Sequence, residues 1–490
     1  MNPIKEDAMM TTSTEKRFFG HPRQLGTLFY IEMWERFAFY GGQSLLMIYL
    51  YYKASQGGGL GMEQSLAAGL VGVYGGSIYL TTIVGGWLAD RVLGTKNTLL
   101  LATVVMLGGT VLLVLLPGYA SLVGLPFISL GSGSFKATAS AMVGSLYEDE
   151  SERELRDAGF SIFYTAINVG IFIGTLLVGY LQPKYGFRVA FAAAMGGMVL
   201  CLITLLQGRS KLPETPIPNP LPKEQRGKVV GIVAAILAVI GGAIGSGLVN
   251  LTNFSSVMLG LVCVISVGYF FVMFGDKNST EADKRHLIAY VPLFVVMCLF
   301  WAMYLQMYSV VTVYFEETVP RKFGDFEVPI AWLVTFQSLS VIVLASAMAA
   351  LWTKMGKRQP SSQMKFALAA LVAGVGYLAF IPFLSTGTPM PIFVLMVVLV
   401  LLTVAELLLS PISLSFATKV APEAFKTQMV SFNFLSLSLG FTLGGVLGDK
   451  LYTAETATSY YIMLAGMGIG SAVVLFVMMP MLKRLLHDVD

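Results

Sequence analysis

Residues 209–228 read RSKLPETPIPNPLPKEQRGK, a proline-rich and basic stretch that interrupts a long series of apolar spans. This composition is typical of an exposed linker. Breaking the flanking sequence at charges and at Gly/Pro clusters gives six spans before the stretch and eight after it. The segment therefore predicts a chain that is built of two halves.

The composition of the chain indicates a membrane protein. Of its 490 residues 56% are hydrophobic and 12% are charged, whereas a soluble globular protein carries about 25% charged residues. The mean hydropathy is +0.73. Charge-free runs such as 97–135 and 366–405 exceed the length of about 20 residues that a helix needs to cross a bilayer. Strand-like alternation is absent from them, so we predict an all-α polytopic membrane protein.

The predicted spans divide into a six, two, six arrangement. Those before the linker cover residues 24–52, 64–89, 97–117, 121–146, 158–182 and 189–208; those after it cover 229–249, 254–275, 286–315, 328–353, 365–385, 389–418, 427–448 and 457–482. The predicted organisation is a cytoplasmic tail (1–22), a six-helix bundle (23–208), the linker (209–228), two additional transmembrane helices (229–275) and a second six-helix bundle (276–490).

The distribution of basic residues predicts the orientation. An even number of spans places both termini on one side, and most of the 32 Lys and Arg residues lie in the loops and tails of that side. Because cytoplasmic loops are enriched in Lys and Arg, both termini are expected in the cytoplasm.

Two short basic turns indicate that the halves are parallel repeats. Residues 86–96 follow the second span of the first half, and residues 352–358 follow the second span of the other six-helix half. An ordinary cytoplasmic turn explains the charges but not the matching positions. In transporters built of two such repeats, the substrate binds near the midplane between them.

Five ionisable residues lie within apolar spans, where a charge costs about 3 kcal/mol or more. Three of them are in the first span, one is in the fourth and one is in the fourth span of the second six-helix bundle: Glu32, Glu35, Arg36, Lys136 and Glu406. Such residues usually line a polar pathway and pair with each other or with a ligand. The chain is therefore expected to move a charged solute through a membrane.

The first span carries two acids and one base within five residues. Glu32 and Arg36 are four apart with the acid first, which is the favourable order for a helical pair, and Glu35 lies one turn from Glu32. For a lone Glu–Arg pair, a buried ion network that only stabilises the helix is an equally good interpretation. The second acid is left uncompensated, however, and such a carboxyl can load and release a proton.

Lys136 and Glu406 are expected to face each other across the repeat interface. Lys136 follows the small-residue segment Gly131–Ser134, which allows another helix or a ligand to come close. Snorkelling of Lys136 to the membrane surface is disfavoured by its position near mid-span. Glu406 has no basic neighbour on its own helix, so it awaits a cation or carries a proton. A zwitterion fits, with its amine at Glu406 and its carboxylate at Lys136 and Arg36.

Other site classes find little support in the sequence. The cysteines are isolated within apolar spans, and the histidines lie near span ends or in tails, at Cys201, Cys263, Cys298, His21, His286 and His487. We therefore expect no metal site, no disulfide and no cofactor other than protons as the coupling ion. The basic residues follow the membrane topology and form no nucleic-acid patch.

The ordered motifs resemble a known family. They are Glu32-x-x-Glu35-Arg36, the turn at 86–96, the segment ending at Lys136, Phe160 to Gly170, Phe300-Trp301, Phe336-Gln337-Ser338 and Glu406 to Pro411. From Phe19 onward the chain is similar to the proton-dependent oligopeptide transporters (POT, or PTR) of the major facilitator superfamily. The two extra central helices are similar to those of bacterial members.

The resemblance implies proton-coupled import of di- and tripeptides by alternating access in the bacterial inner membrane, with small peptides and the lipid bilayer as partners and a monomeric state. It implies that Glu32, Glu35 and Arg36 couple protons and that Arg36 and Lys136 lie near the peptide carboxylate. Asn168 and Glu406 would meet the amino end. The remaining implied binding residues are Tyr40, Tyr79, Tyr164, Trp301 and Ser340.

The chain departs from the family pattern at a gate. Many members carry an Arg–Glu pair between the halves, and this chain has Gln43 and Leu305 at those positions. Other contacts must therefore close that side. Ser340, Asn433 and Phe39 also replace family residues, so the pocket should differ in shape and polarity.

Three alternatives to a peptide symporter remain at this point. A proton-coupled carrier of another small zwitterion or anion would need the same charges. A peptide sensor without transport would need the pocket, although Glu32 and Glu35 would be idle in it. A polytopic membrane enzyme is the weakest alternative, since no nucleophile–base pair or metal cluster is recognisable.

Overall fold

The computed structural model describes residues 18–147, 153–213, 216–217, 219–276, 279–422 and 425–487. Residues 1–17 of the predicted tail lie outside this part of the chain. The helices before the linker are α1 (Arg23–Tyr51), α2 (Gln64–Leu88), α3 (Thr95–Leu115), α4 (Gly124–Ser145), α5 (Arg156–Tyr185) and α6 (Phe187–Gly208). After it come α7 (Lys223–Gly245), α8 (Phe254–Gly275), α9 (Glu281–Leu305), α10 (Val310–Glu317), α11 (Trp332–Met355), α12 (Ser362–Leu378), α13 (Ile381–Thr386), α14 (Ile392–Lys419), α15 (Lys426–Leu451) and α16 (Ala457–Leu485).

Within the described residues these helices make fourteen membrane crossings. Twelve helical segments are long and apolar enough to span a bilayer. The other two crossings, α1 and α4, are less apolar because they carry the buried charges and, in α4, several Gly and Ser residues. The pairs α9–α10 and α12–α13 each form one crossing. The predicted all-α polytopic class with a six, two, six order of spans is confirmed.

The first span of the second six-helix bundle is broken, which the sequence did not indicate. Residues Gln306–Tyr308 form a 3₁₀ turn between α9 and α10. The start of α9 is defined locally by a capping box, in which the Thr280 hydroxyl accepts from the Asp283 amide and the Asp283 carboxylate accepts from the Thr280 amide. A short hairpin of β1 (Lys322–Phe323) and β2 (Phe326–Glu327) follows α10.

The two six-helix halves meet along two seams. One is formed by α2 and α15 and the other by α5 and α11. At the first seam a Cβ on Gly72 or Gly76 would collide with Gly445 or Thr442. Small residues at this crossing therefore let the backbones of the two halves approach closely, as at many membrane helix interfaces.

The two central helices differ in how they attach. Helix α8 packs on α15 and α2, and the Ser255 hydroxyl donates to Asp449 at 2.8 Å. No described residue of α7 is buried, as expected for a helix that faces lipid on most sides. Helix α7 begins at Lys223, earlier than the predicted residue 229, because Pro222 precedes it and Glu224 lies in its first turn.

The linker runs along the turn between α2 and α3. The amides of Asn219 and Leu221 donate to the carbonyls of Asp90 and Arg91, and Lys96 Nζ donates to the Leu212 carbonyl at 3.2 Å. The division into domains at the ends of this linker stays a prediction.

Candidate functional site

Three charged side chains of α1 form a buried network. Arg36 Nε donates to Glu32 Oε1 at 2.8 Å and lies 2.9 Å from Glu35 Oε2. Glu35 Oε1 also accepts from the Ser132 hydroxyl of α4 at 2.7 Å. All three charged residues are at most 3% exposed. Two carboxylates thus share one guanidinium. The Glu32–Arg36 pair has the four-residue spacing of a helical ion pair, whereas the contact between the adjacent residues Glu35 and Arg36 was not predicted by spacing.

The network leaves polar atoms free. Among the described residues, Glu32 Oε2 and Arg36 Nη2 are buried and have no hydrogen-bond partner. Leaving such a group unsatisfied is costly unless a ligand or a proton completes it. The arrangement can therefore accept an anion at Arg36 and a proton at a glutamate.

Lys136 projects from α4 towards an aromatic wall. Its Nζ lies 4.5 Å from the ring centre of Tyr79 and 5.7 Å from that of Phe434. Within the described ranges no carboxylate lies close enough to form an ion pair with it. Among the charged groups around it, Arg36 repels Lys136, whereas Glu32, Glu35 and Glu406 attract it. The cation is held by ring faces and remains available to an anionic ligand.

Glu406 of α14 is held by two neutral side chains. The Tyr304 hydroxyl of α9 donates to Glu406 Oε2 at 2.7 Å, and Gln337 Nε2 of α11 donates to the same oxygen at 3.0 Å. Gln337 Nε2 also lies 2.7 Å from the Tyr304 hydroxyl. In the part of the chain that the structure describes, no cation pairs with Glu406. The carboxylate is therefore positioned but not neutralised.

The predicted aromatic residues lie between these charges. Tyr40 lies near Arg36 and Glu406, and Tyr79 lies near Tyr40 and Arg36. Tyr164 lies near Glu406 and Tyr40 and is 44% exposed. These tyrosines therefore border the space between the charges of the two halves.

The other predicted binding residues surround this space less directly. Asn168 is buried on α5 and donates to the Tyr164 carbonyl at 3.1 Å. Trp301 packs edge-on against Tyr304 at 5.4 Å, and its Nε1 is buried without a partner among the described residues. The Ser340 hydroxyl donates to the Phe336 carbonyl of its own helix at 2.9 Å. No described contact joins Ser340 to the rest of the site.

Sequence reasoning missed four members of the site. The missed residues are Ser132, Tyr304, Tyr308 and Gln337. Tyr308 is buried and lies near Tyr40, Glu406 and Tyr79, and the motif around Gln337 was the available signal for that residue. Gln306, which is close to Tyr308 in the sequence, donates to the carbonyls of Ala302 and Gly444 and accepts from the Tyr460 hydroxyl. It joins helices of one half.

One end of the molecule is closed by hydrogen bonds between the halves. The hydroxyls of Tyr51 and Tyr52 donate to the two carboxylate oxygens of Glu316, each at 2.9 Å. Gln64 Nε2 donates to Glu317 at 2.5 Å. We call this region, Tyr51 to Gln64 with Glu316 and Glu317, the sealed end. Burial and the neighbouring Glu316 carboxylate raise the pKa of the Tyr52 phenol, so this hydroxyl stays a donor at neutral pH.

Gln43 and Leu305 are both buried. Gln43 Oε1 has no partner among the described residues, and the Leu305 side chain has no polar atom to offer it. That other contacts replace the Arg–Glu gate stays a prediction, for which the tyrosine and glutamine bonds of the sealed end are candidates.

No group of three or more His, Cys, Asp or Glu in the described ranges could hold a metal ion. The polar groups of the site are instead one cluster on the first half and one carboxylate on the second. Such an arrangement can bind a molecule with a charge of each sign at its two ends.

Comparison with known proteins agrees with these observations. Residues 96–463 match the model of the POT family. A di-/tripeptide transporter of Lactococcus lactis subsp. cremoris is 34% identical over 97% of this chain and 99% of its own. The solved structure of a peptide transporter POT in complex with sulfate has a TM-score of 0.92 at 35% identity and covers 96% of this chain and 97% of that one.

A further solved structure, of a POT family transporter in complex with 5-aminolevulinic acid, has a TM-score of 0.89 at 32% identity. It covers 96% of this chain and 98% of the other. The chain is a member of the POT family and has a major facilitator architecture of twelve core transmembrane helices with two additional central helices.

Proposed function

We propose that the chain imports di- and tripeptides together with protons by alternating access. The observation that carries this proposal is the pair of charges without an ion-pair partner on opposite halves: Lys136, whose Nζ lies against the Tyr79 ring, and Glu406, which is held by two neutral donors. A peptide in its zwitterionic form satisfies both charges at once. The name of the Lactococcus relative supports the same substrate class.

The two ends of the peptide meet different surroundings in this proposal. Its carboxylate binds Lys136 and the free Nη2 of Arg36, and its ammonium group binds Glu406 with Asn168 nearby. Tyr40, Tyr79, Tyr164 and Trp301 line the space for the side chains, and Ser340 borders it on α11. Charge-assisted hydrogen bonds are stronger than neutral ones, so the termini contribute most of the affinity.

Proton coupling follows from the shared guanidinium. When the peptide carboxylate draws Arg36 towards itself, the ion pairs with Glu32 and Glu35 weaken. A buried carboxylate that loses its partner is destabilised as an anion and takes up a proton. Peptide and proton therefore enter as a pair, and no further coupling ion is needed.

Alternating access uses the sealed end as one gate. The Tyr51, Tyr52 and Gln64 hydrogen bonds close that side while Tyr164 stays accessible from the space between the halves. The excess of Lys and Arg in the loops of the opposite side supports an orientation in which that side and both termini lie in the cytoplasm of a bacterium, with the protein in the inner membrane. In this orientation the sealed end faces outward, and the protein works as a monomer.

Binding of terminally blocked dipeptides to the purified protein tests the proposed recognition. We expect dialanine to bind at least about 30-fold more tightly than N-acetyl-dialanine or dialanine amide, because each blocked end leaves a half-buried charge, Lys136 or Glu406, unpaired at a cost of about 2 kcal/mol or more. Equal affinities for the free and blocked forms would contradict the assignment of the two ends.

A second candidate substrate is another small zwitterion. The complex of a related transporter with 5-aminolevulinic acid favours it, since that molecule also carries an amine and a carboxylate. Competition between dialanine and 5-aminolevulinic acid in the same binding assay separates the candidates. Dialanine displacing 5-aminolevulinic acid at lower concentration supports the peptide, and the reverse order supports the alternative.

A further inference from the structure

An apolar pocket lies at the α5–α11 seam, outside the substrate space. Its volume is about 200 Å³. The walls come from both halves, with Phe172 and Leu176 on α5 and Leu333 and Leu339 on α11, while Leu395 and Met396 of α14 close it on the third side. The pocket therefore exists in the arrangement in which these helices meet.

The few polar atoms around the pocket are already satisfied. The Thr335 hydroxyl is hydrogen-bonded to the Thr175 hydroxyl at 2.7 Å, and Trp332 Nε1 donates to the Leu176 carbonyl at 3.2 Å. Both bonds cross the seam between the halves. Because these side-chain donors and acceptors of the pocket wall already have partners, the pocket suits a hydrocarbon ligand.

The pocket opens onto the lipid-facing surface. Leu176, Leu339 and Met396 line it and are themselves 36%, 44% and 36% exposed. Their neighbours Val343 and Val397 are 60% and 54% exposed. On helices that cross the membrane, such exposed aliphatic residues face acyl chains. The cavity is thus continuous with the surface that the bilayer already covers.

The pocket's position in the membrane and its volume suit the part of an acyl chain that lies close to the lipid headgroup. Val328, which follows β2, and Trp332 both line the pocket, and the Trp332 ring packs 5.7 Å from that of Phe326 of the exposed hairpin. Aromatic residues of this kind gather at the membrane–water interface. An engineered apolar cavity of about 150 Å³ holds benzene and excludes water, so this pocket has room for a segment of hydrocarbon chain.

We propose that the pocket binds one acyl chain of a membrane phospholipid and thereby stabilises the arrangement with the sealed end closed. An occupant that contacts both walls binds this arrangement better than one in which the walls have separated. By linkage it shifts the population towards the closed sealed end. The site does not depend on which solute the protein carries.

Fluorescence quenching by phospholipids with brominated acyl chains tests the site directly. The chain has five Trp residues; the others are replaced by Phe, so that only Trp332 remains. In the matched control Trp332 is also replaced by Phe and Phe393→Trp supplies the reporter, because Phe393 is 65% exposed on α14 and does not line the pocket. Both proteins are titrated in detergent.

We expect the quenching of Trp332 to saturate near one lipid per protein, while quenching in the control rises in proportion to the lipid. Filling the pocket with Leu339→Phe or, independently, Met396→Phe should remove the saturating component. Equal, non-saturating curves for both reporters would overturn the proposal. The proposal would also be overturned if the quenching of Trp332 still saturated in both the Leu339→Phe and the Met396→Phe variants. It would likewise be overturned if a brominated detergent gave saturating quenching and the brominated lipid did not.

Distances between spin labels test the conformational consequence. Lys53 and Lys322 are exposed near the sealed end on opposite halves, so labels are attached through Lys53→Cys and Lys322→Cys after the native cysteines are replaced by Ser. In the labelled protein without a filling substitution, added phospholipid should increase the population with a short distance between the labels. In the labelled Leu339→Phe variant, the distance distribution should stay unchanged. If added lipid does not change the distances in the protein without a filling substitution, the linkage between lipid binding and closure of the sealed end is contradicted.

Discussion

The first helix of the chain and the fourth helix of its second half both place carboxylates in the membrane, but they stabilise them differently. On α1, Glu32 and Glu35 share the Arg36 guanidinium. On α14, Glu406 is held by two neutral donors, Tyr304 and Gln337. The first cluster carries its own countercharge, whereas the second carboxylate has none among the described residues.

This difference separates two tasks. A carboxylate that already has a cation responds when that cation is drawn away, so the α1 cluster is suited to exchange a proton for an ion pair. A carboxylate that is oriented by neutral donors keeps its charge free for an incoming cation. We infer that the α1 cluster couples protons and that Glu406 recognises the amino end of the substrate.

Removing either unneutralised charge should have the largest effect. Lys136→Ala or Glu406→Ala is expected to lower driven peptide uptake by about 30-fold or more, because one end of the peptide then lies unpaired in a buried site at a cost of about 2–5 kcal/mol. Initial rates of labelled dialanine uptake into liposomes measure this loss.

Lys184→Ala serves as the control, since Lys184 is exposed and contacts the Tyr180 ring. Uptake near the wild-type rate in Lys136→Ala or Glu406→Ala protein would exclude the assignment of that residue to a peptide end.

Neutralising one member of the α1 cluster should break coupling while sparing binding. Glu35→Gln and, separately, Glu32→Gln are expected to lose proton-driven accumulation of dialanine, because the carboxyl that carries the proton is gone. Exchange of labelled for unlabelled peptide should persist in them. Counterflow and driven uptake measured on the same liposomes separate the two activities.

Glu63→Gln provides the matched control, because Glu63 is an exposed glutamate at the start of α2. Accumulation against a gradient in both Glu32→Gln and Glu35→Gln would mean that the proton travels by another route.

Removing one neutral donor to Glu406 should have a moderate effect. Tyr304→Phe is expected to raise the KM for dialanine about 10-fold with little change in protein abundance, because a hydrogen bond to a charged group contributes about 1.5–3 kcal/mol and Gln337 still holds the same oxygen. Uptake kinetics with saturating and limiting peptide give the KM.

The control is Tyr377→Phe, in which the lost hydroxyl donates to the Met303 carbonyl of the same half. It should cost stability but leave the KM unchanged. A similar rise of KM in both variants would indicate general weakening of the helix packing.

Loosening the sealed end should have the smallest effect. Tyr51→Phe and Tyr52→Phe each remove one hydrogen bond to Glu316. Because both tyrosines are only half-buried, water competes for these bonds, so each is taken to contribute about 0.5–1.5 kcal/mol and to shift the balance between the two access states by about 2–10-fold. Reactivity of a cysteine placed in the central space towards a reagent outside the liposome reports the shift. No change in the double variant would mean that Gln64 and the helix seams close this end without the tyrosines.

Much of the architecture could be predicted because the hydropathy of a short stretch of sequence is enough to identify a membrane span. The first span was expected at 24–52 and forms Arg23–Tyr51, since Arg23 and the polar residues after Tyr52 end the apolar run. The break at Gln306–Tyr308 could not be predicted in this way. No Gly or Pro lies within ten residues of this turn, and the turn is fixed by Gln306 bonds to Gly444 and Tyr460, which are distant in the sequence.

The candidate site was predictable to the extent that buried charges are conspicuous in an apolar sequence. Glu32, Glu35, Arg36, Lys136 and Glu406 could be found from hydropathy alone. The roles of Tyr304 and Ser132 could not, because tyrosine and serine are common in membrane helices and acquire meaning only through a partner on another helix. Their contributions depend on how the helices pack.

Labelled dialanine uptake into liposomes under an imposed inward proton gradient tests the central claim most directly, with a protonophore as control. The account predicts that wild-type protein accumulates dialanine above its external concentration and that the protonophore abolishes the accumulation. Accumulation that persists with the protonophore, or exchange of peptide without any accumulation under the gradient, would contradict proton coupling through the α1 cluster.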